Sequence, residues 1–155
     1  MADADTISMH RASMFEDMGT ITSATAPALR NATREYMLRA VPTEEYVGWL
    51  MFEVSRPDII VAGAGMLLRQ IPPFPIMHGV HAGTLGAGKQ GLILNVYVDR
   101  AWRRKGLAAK LMRVVMEYAN EVGVENLVLH ASNEGRPLYE QLGFVATNEM
   151  RLVPT

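Results

Sequence analysis

Leu92, Ile93, Leu94, Val96, Tyr97 and Val98 form an apolar run, rich in β-branched and aromatic residues, interrupted only by Asn95. Such a run is expected of a strand covered on both faces, so residues 92–98 predict a central strand. Asp99 and Arg100 end it, and the apolar spacing then changes to Leu107, Leu111, Val114, Val115, Tyr118 and Val122. That period places one apolar stripe on a helix from residue 104 to about 121. Residues 127–132 predict another short strand. Pro137 suits the first turn of a following helix and Gly143 its end.

Upstream the pattern is weaker. Residues 6–11 alternate loosely and predict a first strand, after which Ser13 is placed to cap a short helix through Asp17 ending at Gly19. The acidic first five residues are expected to be mobile. From Ser23 the spacing Ala26, Leu29, Thr33, Tyr36, Met37, Ala40 predicts an amphipathic helix that stops before Pro42. Thr43 then N-caps another helical turn. Residues 49–54 and 59–69 flank the turn-forming Ser-Arg-Pro-Asp and predict two antiparallel strands. Gly63 and Gly65 weaken the second of these and mark a bulge. Residues 71–90 contain three prolines and four glycines, which rules out regular structure throughout. A loop of that length is either functional or a mobile insertion. A final strand or hairpin is expected in residues 144–153.

At 155 residues the chain fits one domain, residues 1–155, with a single core. Its net charge of −1 and 20% charged residues carry no global signal for nucleic acid or a membrane surface, which leaves a small molecule as the expected partner. No apolar run reaches the roughly 18 residues that span a bilayer, and the N-terminus lacks the pattern of a signal peptide. A soluble, cytoplasmic protein is therefore expected. The absence of cysteine excludes disulfides, thiol nucleophiles and Cys-based metal sites. His10, His78, His81 and His130 lack the spacing of known zinc motifs, and His78 with His81 reads more readily as a loop pair than as metal ligands.

The join between the central strand and its helix carries candidate chemistry. In Arg103-Arg104-Lys105-Gly106-Leu107-Ala108, three cations and two positions with little or no side chain sit where a helix begins. The first N–H groups of a helix have no intrahelical partner, and its dipole favours an anion there. The turn therefore reads either as a pyrophosphate cradle or as an ordinary basic strand-to-helix turn. A nucleotide-phosphate loop fits less well, because the Gly-Lys-Ser/Thr ending is missing.

Arg103-x-x-Gly106-x-Ala108 resembles the Gln/Arg-x-x-Gly-x-Gly/Ala pyrophosphate loop of the GCN5-related N-acetyltransferase (GNAT) family. Downstream, Leu138-Tyr139-Glu140-Gln141-Leu142-Gly143-Phe144 is similar to the Leu-Tyr-x-x-x-Gly-Phe signature that closes the coenzyme site in that family. The resemblance is specific over about residues 91–146 and only topological before that. It implies an α/β fold with a mixed, mostly antiparallel sheet of six to seven strands flanked by helices. The family's fourth and fifth strands splay apart, with the pantetheine arm of the coenzyme in the gap.

The resemblance further implies an acetyl-CoA-dependent N-acetyltransferase acting on an amine of a small molecule or peptide, with no metal and, by analogy, a possible homodimer. Coenzyme contacts would come from Val96, Tyr97 and Val98 of the strand and from Arg103, Arg104, Lys105, Gly106, Leu107 and Ala108 of the turn. Tyr139 matches the family's general acid, whose phenol is protonated at neutral pH and suited to neutralising a thiolate. Where many members carry Asn seven residues before that tyrosine, this chain has Ser132, followed by Asn133, which either shares the contact or caps the next turn. The strand glutamate that serves as base in several members is absent. Asn95 either orients a water for that step or bonds to neighbouring groups. His130 is expected to be a core histidine rather than the base, and Glu35 and Glu149 surface charges. A non-catalytic acyl-CoA-binding or sensing domain is the alternative, and Tyr139 favours the enzyme.

Overall fold

The computed structural model describes residues 2–77, 79–147 and 149–153. Helices α1 (Ala2–Asp17) and α2 (Ala26–Ala40) come first, followed by β1 (Tyr46–Glu53), β2 (Arg56–Gln70), β3 (Phe74–Pro75), β4 (Leu85–Gly86) and β5 (Lys89–Val98). A 3-10 turn (Arg100–Trp102) leads into α3 (Leu107–Glu121), then β6 (Asn126–Leu129) and α4 (Arg136–Gln141). The main sheet has the order β1-β2-β5-β6, antiparallel at the first two joins and parallel at the last. This is the mixed, mostly antiparallel sheet flanked by helices that the resemblance implies. Among the described residues its strand count is lower: four strands share the main sheet, and β3 and β4 form a separate two-stranded ribbon.

Each face of the sheet is covered by helices. Met66, Ile93, Leu111, Met112 and Val115 are all buried in a cluster that α3 shares with β2 and β5, and the Trp49 ring of β1 meets Tyr118 of α3 edge-on at 5.3 Å. Burying a side chain the size of Met112 stabilises the fold by about 1.5–3 kcal/mol. A second cluster, Ala4, Ile7, Met37, Ala40 and Tyr46, lies between α1, α2 and the start of β1.

Several expectations are corrected. Residues 6–11 are helical, and Ala4, Ile7, Ser8 and Ala12 are buried at helical spacing. Most of that buried face is small or polar, so the exposed Met9 beside Ile7 imitated strand alternation. The acidic start belongs to the same helix, where Asp5 accepts from Arg34 Nε of α2 at 2.5 Å. Residues 41–45 form a turn rather than more helix, and Thr43 Oγ1 donates to the carbonyls of Arg39 and Ala40 at the end of α2 instead of capping a new start. The stretch 71–90 holds the β3–β4 ribbon and the first residues of β5. It is fastened by Glu125, whose carboxylate accepts from the N–H groups of Ala87, Gly88 and Lys89 at 2.8–3.2 Å. Residues 144–147 and 149–153 form neither strand nor hairpin.

Two features of β5 position the site. Its pairing with β6 runs only from Gln90↔Asn126 to Ile93↔Leu129, so from Leu94 onward that edge has no strand partner among the described residues. Its register with β2 also shifts: Gly65 pairs with Leu94 and Gly63 with Tyr97, leaving Asn95 and Val96 opposite the single residue Ala64. The bulge expected around Gly63 and Gly65 is there, with its extra residue on the partner strand.

Candidate active site

Beyond the end of β5, Asp99 accepts from Ala101 N at 2.9 Å and starts the 3-10 turn, which hands the chain to the beginning of α3. Arg104 and Gly106 both take positive φ, 63° and 74°, and Gly106 is the residue immediately before the helix. The first intrahelical bond is Lys110 N to Gly106 O at 3.1 Å. Among the described residues, the N–H groups of Arg104, Lys105, Gly106, Leu107 and Ala108 have no acceptor. Free donors concentrated at one helix start form an anion site. A Cβ built on Gly106 would meet nothing within 4 Å, so this side of the turn is open.

The cations of the turn are arranged unequally. Arg103 is turned back: its Nε donates to the Val98 carbonyl at 3.0 Å, its Nη2 pairs with Asp17 at the end of α1, and it lies 5.7 Å from the Tyr97 ring. Arg100 reaches the same Asp17. Burial alone would raise the Asp17 pKa, and the hydrogen bonds from Arg100 and Arg103 more than offset this, leaving it below the ordinary carboxylate value. Lys105 Nζ sits 4.4 Å from the Trp102 ring centre. Arg104 is exposed at the mouth of the turn. Ser13, Glu16, Asp17, Tyr97 and Arg100 line an open cleft of about 330 Å³ beside this join.

Tyr139, in α4, is half-buried and packs on the α3-side cluster with its ring edge-on to Phe144 at 6.2 Å. Its hydroxyl has no hydrogen-bond partner among the described residues, and burial raises its pKa above 10.0. Gly135 leaves room for that ring, since a Cβ there would lie 2.9 Å from Tyr139 Cε2. Ser132 Oγ accepts from Gly135 N at 3.1 Å, so Ser132 rather than Asn133 caps the turn into α4, and Asn133 is exposed.

On β5, Val96 and Val98 pack toward α3, whereas Tyr97 points the other way and meets the His10 ring of α1 at 4.9 Å. Asn95 is 4% exposed and has φ 58°. Its Nδ2 donates to Tyr46 Oη at 3.1 Å and its Oδ1 accepts from Arg11 Nη1 at 2.6 Å. His10 is buried, its Nδ1 lacks a partner among the described residues, and desolvation lowers its pKa against an opposing pull from Asp99.

His130 departs from the core position expected for it. It is exposed, with Nδ1 3.5 Å from Glu149 Oε1. His78 falls outside the described residues, and His81 is exposed. Sequence reasoning missed His10, Arg11, Asp17 and Tyr46. The signal available was Gly63 and Gly65, each of which clears space for a ring: a Cβ would lie 2.9 Å from His10 Nδ1 at the first and 1.8 Å from Tyr46 Oη at the second.

The acetyltransferase (GNAT) domain family matches residues 76–153, half of the chain and all of the site from β5 through α4. The chain belongs to the GNAT acetyltransferase family. A GCN5-related N-acetyltransferase from Ralstonia eutropha is 31% identical and superposes with a TM-score of 0.83, over 99% of this chain and 93% of that one. A predicted acetyltransferase from Clostridium acetobutylicum, solved with acetyl-CoA, shares the fold at 23% identity with a TM-score of 0.78, over 99% of this chain and 90% of that one. A probable glucosamine 6-phosphate N-acetyltransferase from Oryza sativa is 38% identical over 60 residues, which span 39% of this chain and 36% of the rice protein. The GNAT fold thus accounts for the whole described chain, while the sequence match to the rice protein is confined to part of each molecule.

Proposed function

We propose that the chain is a single-domain, acetyl-CoA-dependent N-acetyltransferase that transfers the acetyl group to a primary amine of a small molecule or peptide. The observation that carries this reading is the continuity between two sets of main-chain groups that no strand or helix partner takes up among the described residues. The unpartnered edge of β5 from Leu94 leads directly to the five acceptor-free N–H groups of residues 104–108. An extended pantetheine arm needs the first and a pyrophosphate the second. The open space at Gly106 admits a phosphate close to the backbone. Arg104 is placed to add charge at the mouth of the turn, and Arg103 to hold the turn against Asp17 and Val98.

Acyl transfer requires that the amine attack the thioester carbonyl, that the resulting oxyanion be stabilised, and that the departing thiolate receive a proton. Main-chain groups of Val96 and Val98 on the free edge would polarise the carbonyl. Tyr139, with its raised pKa and uncommitted hydroxyl, is protonated at neutral pH and would supply the proton to sulfur. Ser132 retains one donor for the coenzyme arm after accepting from Gly135. No carboxylate stands on β5, so the amine would lose its proton through water. The rice relative's name, which specifies an amino sugar phosphate, supports a small acceptor.

Release of free thiol from acetyl-CoA across a panel of small amines and amine-bearing peptides tests this directly. Turnover with at least one amine, reduced by Tyr139→Phe, is expected. Tight CoA binding with no release for any amine, and no effect of Tyr139→Phe, would instead identify an acyl-CoA sensor.

A further inference from the structure

Asn95 is the point at which β5 changes parity. Ile93 faces α3, Leu94 faces the α1–α2 cluster, and Asn95 faces α1 as well, so Val96 and Val98 return to the α3 side and Tyr97 to His10. Without the extra residue, every position after Leu94 would present the opposite face. The bulge therefore determines how β5 presents its free edge beyond residue 94. It is held in a left-handed conformation that costs a non-glycine residue about 1–2 kcal/mol, so it persists only if its surroundings impose it.

Those surroundings come from three other segments. Arg11 of α1 donates to the Asn95 amide oxygen and Tyr46 of β1 accepts from its nitrogen. Tyr46, 1% exposed, lies across Gly65 of β2 in space that any side chain would fill. Arg11 is half-buried, and among the described residues its side chain meets the Asn95 amide and the Phe15 ring at 4.9 Å. Withdrawing a cation from water for one neutral acceptor contributes little net stability. Its yield is geometric.

We infer that Arg11 and Tyr46 are positioning residues, which act through the Asn95 side chain to fix the β5 bulge and so aim the main-chain groups of Val96 and Val98 at the reacting thioester. This rests on the coenzyme lying along the free edge of β5, as proposed above. Asn95 then works as an anchor with both amide atoms committed, and its side chain takes no part in moving a proton. Small displacements suffice for an effect, since a shift of about 1 Å at a reacting centre can cost about a hundredfold in rate.

Tyr46→Phe removes one oxygen from the anchor, and Asn95→Gly removes the anchor while leaving the backbone free to adopt positive φ. Each is expected to lower kcat about tenfold with the KM for acetyl-CoA changed less than about twofold. The double variant should fall within about threefold of the worse single variant, because both act through one side chain. Arg11→Lys should retain more kcat than Arg11→Met. In the free protein, the Asn95 carbon chemical shifts that report positive φ should move in Tyr46→Phe while the melting temperature stays close to wild type.

Wild-type kcat in Tyr46→Phe, multiplicative losses in the double variant, or unmoved Asn95 shifts would each overturn the inference. Calorimetry separates this from failure of the underlying reading. A wild-type protein that binds no CoA removes the coenzyme site and the inference with it, whereas normal CoA binding and turnover with an unaffected Tyr46→Phe removes the inference alone.

Discussion

The two faces of β5 are built on opposite principles. Toward α3 the strand presents Ile93, Val96 and Val98 to an apolar cluster, and along the edge beside that cluster its main chain from Leu94 onward has no strand partner among the described residues. Toward α1 it buries polar side chains, Asn95 against Arg11 and Tyr46, and Tyr97 against His10. Unsatisfied backbone donors are costly unless water or a ligand reaches them, so their accumulation marks a binding surface. Buried and paired polar side chains mark a fixed geometry. The free edge would therefore receive the coenzyme, and the α1 face would hold the strand still while it does so.

Substitutions that damage one face and spare the other sharpen this contrast. Gly106→Glu brings a carboxylate to the open turn and should weaken CoA binding by more than about a hundredfold in calorimetry, through charge repulsion at the phosphate position. Gly106→Ala separates charge from strain, because its left-handed φ alone costs about 1–2 kcal/mol of stability. Tyr139→Phe should lower kcat by about 10²-fold with CoA affinity unchanged, the usual size of one general acid.

On the α1 face, Gly65→Ala places a methyl 1.8 Å from Tyr46 Oη. It should destabilise the fold by about 1–3 kcal/mol in urea unfolding and displace the Asn95 anchor with the ring. The smallest effect concerns His10. Its folded pKa lies below the ordinary imidazole value of about 6.5 because burial disfavours the charged ring. The unfolded chain therefore takes up this proton first as pH falls. Stability is unaffected well above pH 6.5 and declines below it with a slope of at most about 1.4 kcal/mol per pH unit. His10→Gln should flatten that part of the profile, read from urea midpoints between pH 7.5 and 5.

The same contrast explains what could be read in the sequence. The α3 side was legible because its signals are local. An apolar strand, a basic glycine-bearing turn at a helix start and a Leu-Tyr-x-x-x-Gly-Phe string each occupy a few consecutive residues. The α1 side depends on residues far apart: Arg11 and Asn95 are 84 positions apart, and Tyr46 and Asn95 are 49 apart. Helix α1 hid as a strand because its buried face is Ala4, Ser8 and Ala12 as much as Ile7. Gly63 and Gly65 did announce a close approach, though not which rings would fill it. The strand or hairpin expected in residues 144–153 has no buried apolar face to hold it, since Val145, Met150, Leu152 and Val153 are exposed.

Backbone amide NMR during titration with CoA is the most direct test of where the coenzyme lies. The largest shifts should fall on the amides of residues 104–108 and of Val96 to Val98, with Arg11 and Tyr46 nearly unmoved. Shifts confined to other segments, or none at saturating CoA, would contradict a coenzyme site at the free edge of β5 and the start of α3.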